Sequence, residues 1–179
     1  MMSSEPHPGE PEYSVCPGCG ARLPINADAQ PGARYNASAE CWALYGELTA
    51  YTVARGDWDG AGEFIHQLAV DAYGAQHVRE NARPIGPAFA LIGLYLTCER
   101  GYTGRQVQHM HTLLANRSKT WPRFVPLPHA GTLTVAEVMR APEGEARDAV
   151  LRAWGCSVWE AWAPEHERVR ALFASVMGD

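Results

Sequence analysis

Cys16 and Cys19 stand two residues apart in the run Tyr13-Ser-Val-Cys-Pro-Gly-Cys-Gly20. A tetrahedral metal needs two thiolates a few ångströms apart, and Cys-x-x-Cys on a tight turn supplies them. Pro17 presets one turn dihedral, and Gly18 and Gly20 tolerate positive φ. This knuckle is half a zinc shell. Cys41 is the third candidate thiolate, in the first turn of an expected helix, where the N-terminal dipole favours an anion. His77 is the fourth candidate and completes a Cys₃His set of the kind that holds structural zinc. A redox pair or simple free thiols are the alternatives for Cys16 and Cys19, but redox Cys-x-x-Cys motifs usually follow a strand and open a helix, and this one follows a polar tail. The alternative for Cys41 is a small buried residue, and for His77 a helix C-terminal cap.

A second set of residues could do acid–base or metal chemistry. His66 and His77 lie eleven residues apart, close to three helical turns, so both face one way. Pairing the second and third helices about residues 82–83 puts His66 level with Glu99. A turn near Tyr102 then brings Arg105 towards Glu99 and His109 towards Tyr95. His66, Glu99 and His109 read as a reactive site between facing helices. With Arg105 they read as a satisfied polar network, which is the favoured reading because structural ion-pair networks cluster in the same way. His109 and His111 cannot share one helical face. His166 shares an apolar arc with Trp154, Trp159 and Trp162 and reads as a satisfied core histidine. His129, in a Pro-rich loop, reads as exposed.

Those side chains must be positioned by helices. Ser38 caps a helix to about Arg55. A second runs from about Gly60 to His77, with Glu63, Gln67, Asp71 and Gly74 on one narrow stripe and an otherwise apolar circumference. So wide an apolar arc marks a central, buried helix. A third spans about Ile85 to Arg100. Thr103 and Gln106 form a capping box for a fourth, to about Arg117, and Thr134 and Glu137 form one for a short helix before Pro142. A last region covers about Glu145 to Val176, interrupted or restarted at Pro164. If the first two helices form a hairpin turning near Asp57, paired positions add up to about 114. Cys41 is then level with Tyr73, one turn from His77, and His66 is level with Leu48. Strand signals are weak throughout. The expectation is an all-α bundle of about five or six helices with an N-terminal zinc knuckle. Residues 13–179 form one domain behind a Pro/Glu/Ser-rich, disordered tail, residues 1–12.

Several motifs together resemble a bacterial family known only as a domain of unknown function. They are Cys-Pro-Gly-Cys-Gly, Tyr35-Asn-Ala-Ser-Ala-Glu-Cys-Trp42 and the stretch His66-Gln-Leu-Ala-Val-Asp-Ala-Tyr-Gly-Ala-Gln-His77. Leu91–Leu96 with Glu99-Arg-Gly101, Thr134-Val, and Val158–Trp162 with His166 extend the match over nearly the whole chain from Tyr13. The resemblance implies a bacterial, cytoplasmic protein and no particular activity.

The whole chain bounds the rest. Its 179 residues are 46% hydrophobic and 20% charged, with a net charge of −5, as expected of a globular protein. Without a basic surface, a nucleic-acid partner is disfavoured. No signal sequence or membrane-length apolar stretch is found. Five cysteines are an odd number, which argues against a complete disulfide framework and for a reducing cytoplasm. No nucleophile elbow, phosphate loop or dinucleotide fingerprint occurs. The leading functional expectation is a protein with structural zinc whose bundle binds a small molecule or a protein partner. A metal-dependent hydrolase or transferase built on His66, Glu99 and His109 is the alternative. A thiol redox sensor that releases zinc on oxidation is the third.

Overall fold

The computed structural model describes residues 12–56 and 64–178. The expected tail, residues 1–12, and the start of the second helix before Phe64 fall almost wholly outside the described residues. The fold is mostly helical. A two-stranded hairpin, β1 (Tyr13–Val15) and β2 (Arg22–Pro24), precedes α1 (Ala39–Arg55), α2 (His66–Gln76), α3 (Ile85–Cys98), α4 (Gly104–Arg117), α5 (Val135–Arg140), α6 (Glu145–Ala161) and α7 (His166–Met177). The strands pair antiparallel, with Ser14 opposite Leu23. Three-residue strands are too short for period-2 alternation to reveal them, which is why the sequence reads as a knuckle and irregular loop there. No helix among the described residues is long and apolar enough to cross a membrane.

The helix boundaries follow local chemistry. Ser38 Oγ accepts the Cys41 N–H at 3.2 Å and opens α1. Both expected capping boxes form, at Thr103 with Gln106 and at Thr134 with Glu137. Pro164 lies in a 3₁₀ turn, Ala163–Glu165, that separates α6 from α7. Proline lacks the N–H that a continuous helix would use there.

α2 is the hub and packs on α1, α3, α4 and α6. Eight of its residues are buried, including Gln67, Asp71 and Gln76. Glycines let its neighbours approach. A Cβ on Gly155 of α6 would lie 2.6 Å from Leu68 Cδ1. Behind α2, three indoles of the α6 region, Trp154, Trp159 and Trp162, are fully buried. Each indole N–H has an acceptor: Gln76 Oε1 at 3.0 Å, Glu99 Oε1 at 3.0 Å and the Ala75 carbonyl at 3.2 Å. Burying indoles this deeply requires such partners. Gln76 also donates to the carbonyls of Ala130 (2.6 Å) and Leu133 (2.8 Å), tying the Pro-rich loop to the core.

One side chain thus satisfies three buried groups on two elements. Gln76→Ala leaves them without partners, and unfolding free energy should fall by about 3 kcal/mol in a urea titration followed by tryptophan fluorescence. A loss within about 0.5 kcal/mol, the range of ordinary surface substitutions, would mean that water replaces the amide at no cost.

Candidate metal centre and adjoining pocket

The hairpin tip, the first turn of α1 and the end of α2 converge on one point. At the tip, the Cys16 N–H donates to the Ala21 carbonyl and the Gly20 N–H to the Cys16 carbonyl, both at 2.9 Å. This turn aims Cys16 and Cys19 at the helices, with Gly20 at φ +77°. Ser14 Oγ donates to Glu40 Oε2 at 2.6 Å and ties the strand to α1. Cys41 is in the first turn of α1, and His77 is the C-cap of α2. One donor atom from each of Cys16, Cys19, Cys41 and His77 lies within 4.8 Å of the others. Cys16, Cys41 and His77 are fully buried, and Cys19 nearly so.

These distances suit a metal ion. The sulfurs of Cys19 and Cys41 are 3.8 Å apart, and Cys41 Sγ is 3.4 Å from His77 Nε2. A zinc tetrahedron with Zn–S bonds of about 2.3 Å has S···S edges of about 3.8 Å. His77 Nδ1 lies 2.9 Å from the Tyr73 carbonyl, which can only accept, so Nδ1 carries the proton and the Nε2 lone pair faces the sulfurs. The Ala21 N–H reaches Cys19 Sγ at 3.5 Å, and the Tyr73 hydroxyl reaches Cys41 Sγ at 3.6 Å. Three thiols so close cannot all ionise unaided. Cys16 is pushed down by the hydrogen bonds that Cys19 and Cys41 donate. Cys19 is pushed up to about 12, chiefly by Cys16, and Cys41 is pushed up by both neighbours and by burial. A divalent cation removes this conflict, because it favours all three thiolates at once. The four residues can therefore hold a metal ion.

The helix pairing that assembles the set is one turn later than the hairpin estimate. Cys41 meets His77, Tyr45 stacks on Tyr73 with ring centroids 3.8 Å apart, and Thr52 Oγ1 lies 2.9 Å from His66 Nδ1. Each pair of residue numbers adds up to 118 rather than 114. Cys41 is thus level with His77 itself, and His66 faces Thr52 rather than Leu48. Gly18 shows a second difference. Its backbone is not at positive φ, unlike Gly20. What it provides is close approach: a Cβ there would sit 2.6 Å from His77 Cδ2 and 2.3 Å from the Asn36 carbonyl.

Residues 14–163 match the family of unknown function DUF5946. The chain belongs to that family. No curated protein and no solved structure matches it. Membership agrees with the resemblance read from the motifs and brings no activity with it.

The constellation of His66, Glu99 and His109 does not assemble as expected. The only group of three or more His, Cys, Asp or Glu donors gathered as a possible metal site among the described residues is the Cys₃His set. The α2–α3 register is close to the expected one, since Gly74 approaches Ala90 and Asp71 approaches Gly93. His66 and Glu99 are thus level but point to different neighbours. His66 turns to α1 and Thr52. Glu99 turns to the α6–α7 side, where it accepts from Trp159 and from Arg170 at 2.9 and 2.6 Å. Arg105 lies over the Phe64 ring, and His109 is exposed on α4. His166 stacks on Trp159 and hydrogen-bonds its carbonyl at 2.9 Å, as a satisfied core histidine would. His129 is exposed, yet its N–H donates to the Gly18 carbonyl at 2.9 Å and braces the knuckle.

Sequence reasoning did not single out the feature next to the metal set. A cavity of about 730 Å³ opens between α2, the start of α3 and the loop at Tyr35, and His77 forms part of its wall. That volume lies in the range of small-molecule sites. Among the described residues Asp71 is the only acidic side chain on this wall, which also carries Arg34, Arg79 and Arg83. It is almost fully buried. Gln67 donates to its Oδ1 at 3.0 Å, while Oδ2 has no partner. Burial pushes its carboxyl well above the usual carboxylate range. Gly93 makes room for it: a Cβ there would lie 2.0 Å from Oδ2. The legible signal was Asp71 on one stripe with Gly74, an acid beside a residue with no side chain on a helix otherwise wrapped in apolar groups.

Gly18→Ala keeps all four donors but pushes against the His77 ring, so elemental analysis should find metal content well below wild type, as for Cys41→Ser. Undiminished metal in Gly18→Ala would show that the knuckle is not seated on His77. Because thiolate and neutral imidazole bind metal and their protonated forms do not, acid should release the ion. An ion that binds only the deprotonated ligands would stabilise the fold at neutral pH and lose that effect as pH falls. A chromogenic chelator should report release rising steadily with acidity.

Proposed function

We propose that this protein binds a small molecule in the Asp71 cavity, and that a structural zinc on Cys16, Cys19, Cys41 and His77 holds one wall of that cavity in place. The observation that carries the reading is the buried Asp71 carboxyl with an unpartnered oxygen, on the wall of a 730 Å³ cavity that His77 also lines. Buried polar groups in folded proteins nearly always have partners, and an exception calls for an explanation such as a ligand. Four protein donors leave no open coordination position, which favours a structural over a catalytic ion. The link between the two sites is short: the Asn36 N–H donates to the His77 carbonyl at 2.9 Å, tying the Tyr35 loop to the metal ligand.

The wall chemistry describes the occupant. Asp71, whose unpartnered Oδ2 is packed against Gly93, would accept an N–H donor that reaches it at the inner end. The exposed Arg34, Arg79 and Arg83 ask for an acidic group at the mouth. Phe89, Val70 and Ile85 give an apolar middle. His111 adds no charge there, because burial pushes it down to about 4 while its Nε2–H donates to the Phe89 carbonyl at 3.0 Å. The class is a small organic zwitterion: a nitrogen-donor head, a flat or apolar body, and a carboxylate or similar tail.

4-Guanidinobenzoate has that layout, and phenylguanidine lacks only its acid. The first should raise the melting temperature of zinc-loaded protein in a dose-dependent way, and the second should do so more weakly. Asp71→Asn should abolish both shifts while itself melting above wild type. The sign follows from linkage. The native carboxyl holds its proton to higher pH than the unfolded one, so the native state binds more protons, and stability falls as pH rises above about 4. Removing that charge removes the loss, so the gap between variant and wild type should widen towards pH 7. No shift with 4-guanidinobenzoate, or a destabilised Asp71→Asn, would mark Asp71 as part of the scaffold. Elemental analysis of untagged protein should give about one zinc per chain.

A further inference from the structure

Three of the five cysteines form the metal set, which leaves Cys98 and Cys156. They are 58 residues apart in sequence, yet their Sγ atoms lie 3.3 Å from each other. Cys98 ends α3, and Cys156 is in α6, which packs on α3. Cys98 is half-buried and Cys156 is exposed. A disulfide bond is about 2.05 Å long, so the sulfurs need to close by little more than an ångström. Side-chain rotation on two packed helices can supply that.

We propose that Cys98 and Cys156 are a reversible dithiol–disulfide pair that responds to a two-electron oxidant such as hydrogen peroxide. The exposed Cys156 meets the oxidant. Its thiolate attacks one peroxide oxygen, the O–O bond breaks, and a sulfenic acid forms as hydroxide leaves. The Cys98 sulfur then attacks the sulfenic sulfur and expels its oxygen, which leaves as water with the Cys98 proton. Two thiols are oxidised and one peroxide is reduced to two waters. Burial, with Cys156 and the nearby acids Glu160 and Glu99, pushes the Cys98 thiol up. Cys98 therefore remains a thiol until the sulfenic acid beside it takes up its proton. The metal cysteines are set apart from this chemistry by their burial. The inference uses neither the zinc nor the cavity, and it stands or falls on the two sulfurs.

The test uses full-length, metal-loaded protein, reduced and then exposed to hydrogen peroxide. The expected product has lost two hydrogens by intact mass and keeps its metal. Non-reducing peptide maps should join the Cys98 and Cys156 peptides, dithiothreitol should reverse the link, and the oxidised form should melt higher. Cys156→Ser should block the mass loss. Cys98→Ser should leave a sulfenic acid on Cys156 that dimedone traps. Metal release while Cys98 and Cys156 stay free would overturn the proposal, as would a link between any other two cysteines.

Discussion

Everything at the N-terminal end of this fold depends on holding three thiols and an imidazole within a few ångströms in a buried place. Unaided, that arrangement is unfavourable. Each thiolate raises the cost of the next, and burial raises the cost of all three. A divalent cation inverts the balance. Apparent binding energies of structural zinc are about 10–16 kcal/mol, comparable to the total stability of a domain. The hairpin has only three residues per strand and could not stand alone. Its attachment through Glu40, His129 and the close seat of Gly18 on His77 is worth a few hydrogen bonds and contacts. A bound cation would contribute far more, docking a knuckle that those contacts align.

α2 carries that effect into the rest of the molecule because it is wrapped on every side. His66, Tyr73 and His77 share the face that meets α1. Gln67, Asp71 and Gly74 lie about a quarter-turn round, towards α3. Leu68 and Gln76 reach α6 and its indoles. The metal ligand and the buried acid are therefore side chains of one rigid element. The aromatic stack of Tyr45, Tyr73 and His77, with centroids 3.8 and 3.9 Å apart, fixes the first face. Small residues at Gly74 and Gly93 create the second. A change at the knuckle can reach the cavity by a short path, through His77 and the Asn36 hydrogen bond.

The sequence was legible where local chemistry decides the outcome. Cap residues located α1, α4 and α5, and the breadth of the apolar arc identified α2 as central. The four donors were named because thiolates have few other uses at such spacings. What failed was orientation. A helical hairpin estimate gives the level of a residue but not which neighbour it faces. His66 and Glu99 were level as expected and turned towards different helices. The shift from 114 to 118 is about one turn, and it depends on where the chain leaves α1, which periodicity does not define. In the sequence Asp71 belongs to a polar stripe, and a stripe of polar residues on a helix normally faces water. Only packing reveals that this one is buried against glycines.

The odd number of cysteines acquires a physical meaning once they are sorted by surroundings. Cys16, Cys19 and Cys41 share a buried site that little solvent reaches. There, a bound cation would hold the sulfur lone pairs that an oxidant needs. Cys98 and Cys156 have no such partner set and lie across the bundle on α3 and α6, one of them open to solvent. Reactivity of a cysteine follows thiolate character and access together. The first group is poor in access whatever its protonation, whereas in the second Cys98 is half-buried and Cys156 is open to solvent. Two sets of cysteines in one small bundle can thus do unrelated chemistry, because burial shields the first set and a bound cation would shield it further.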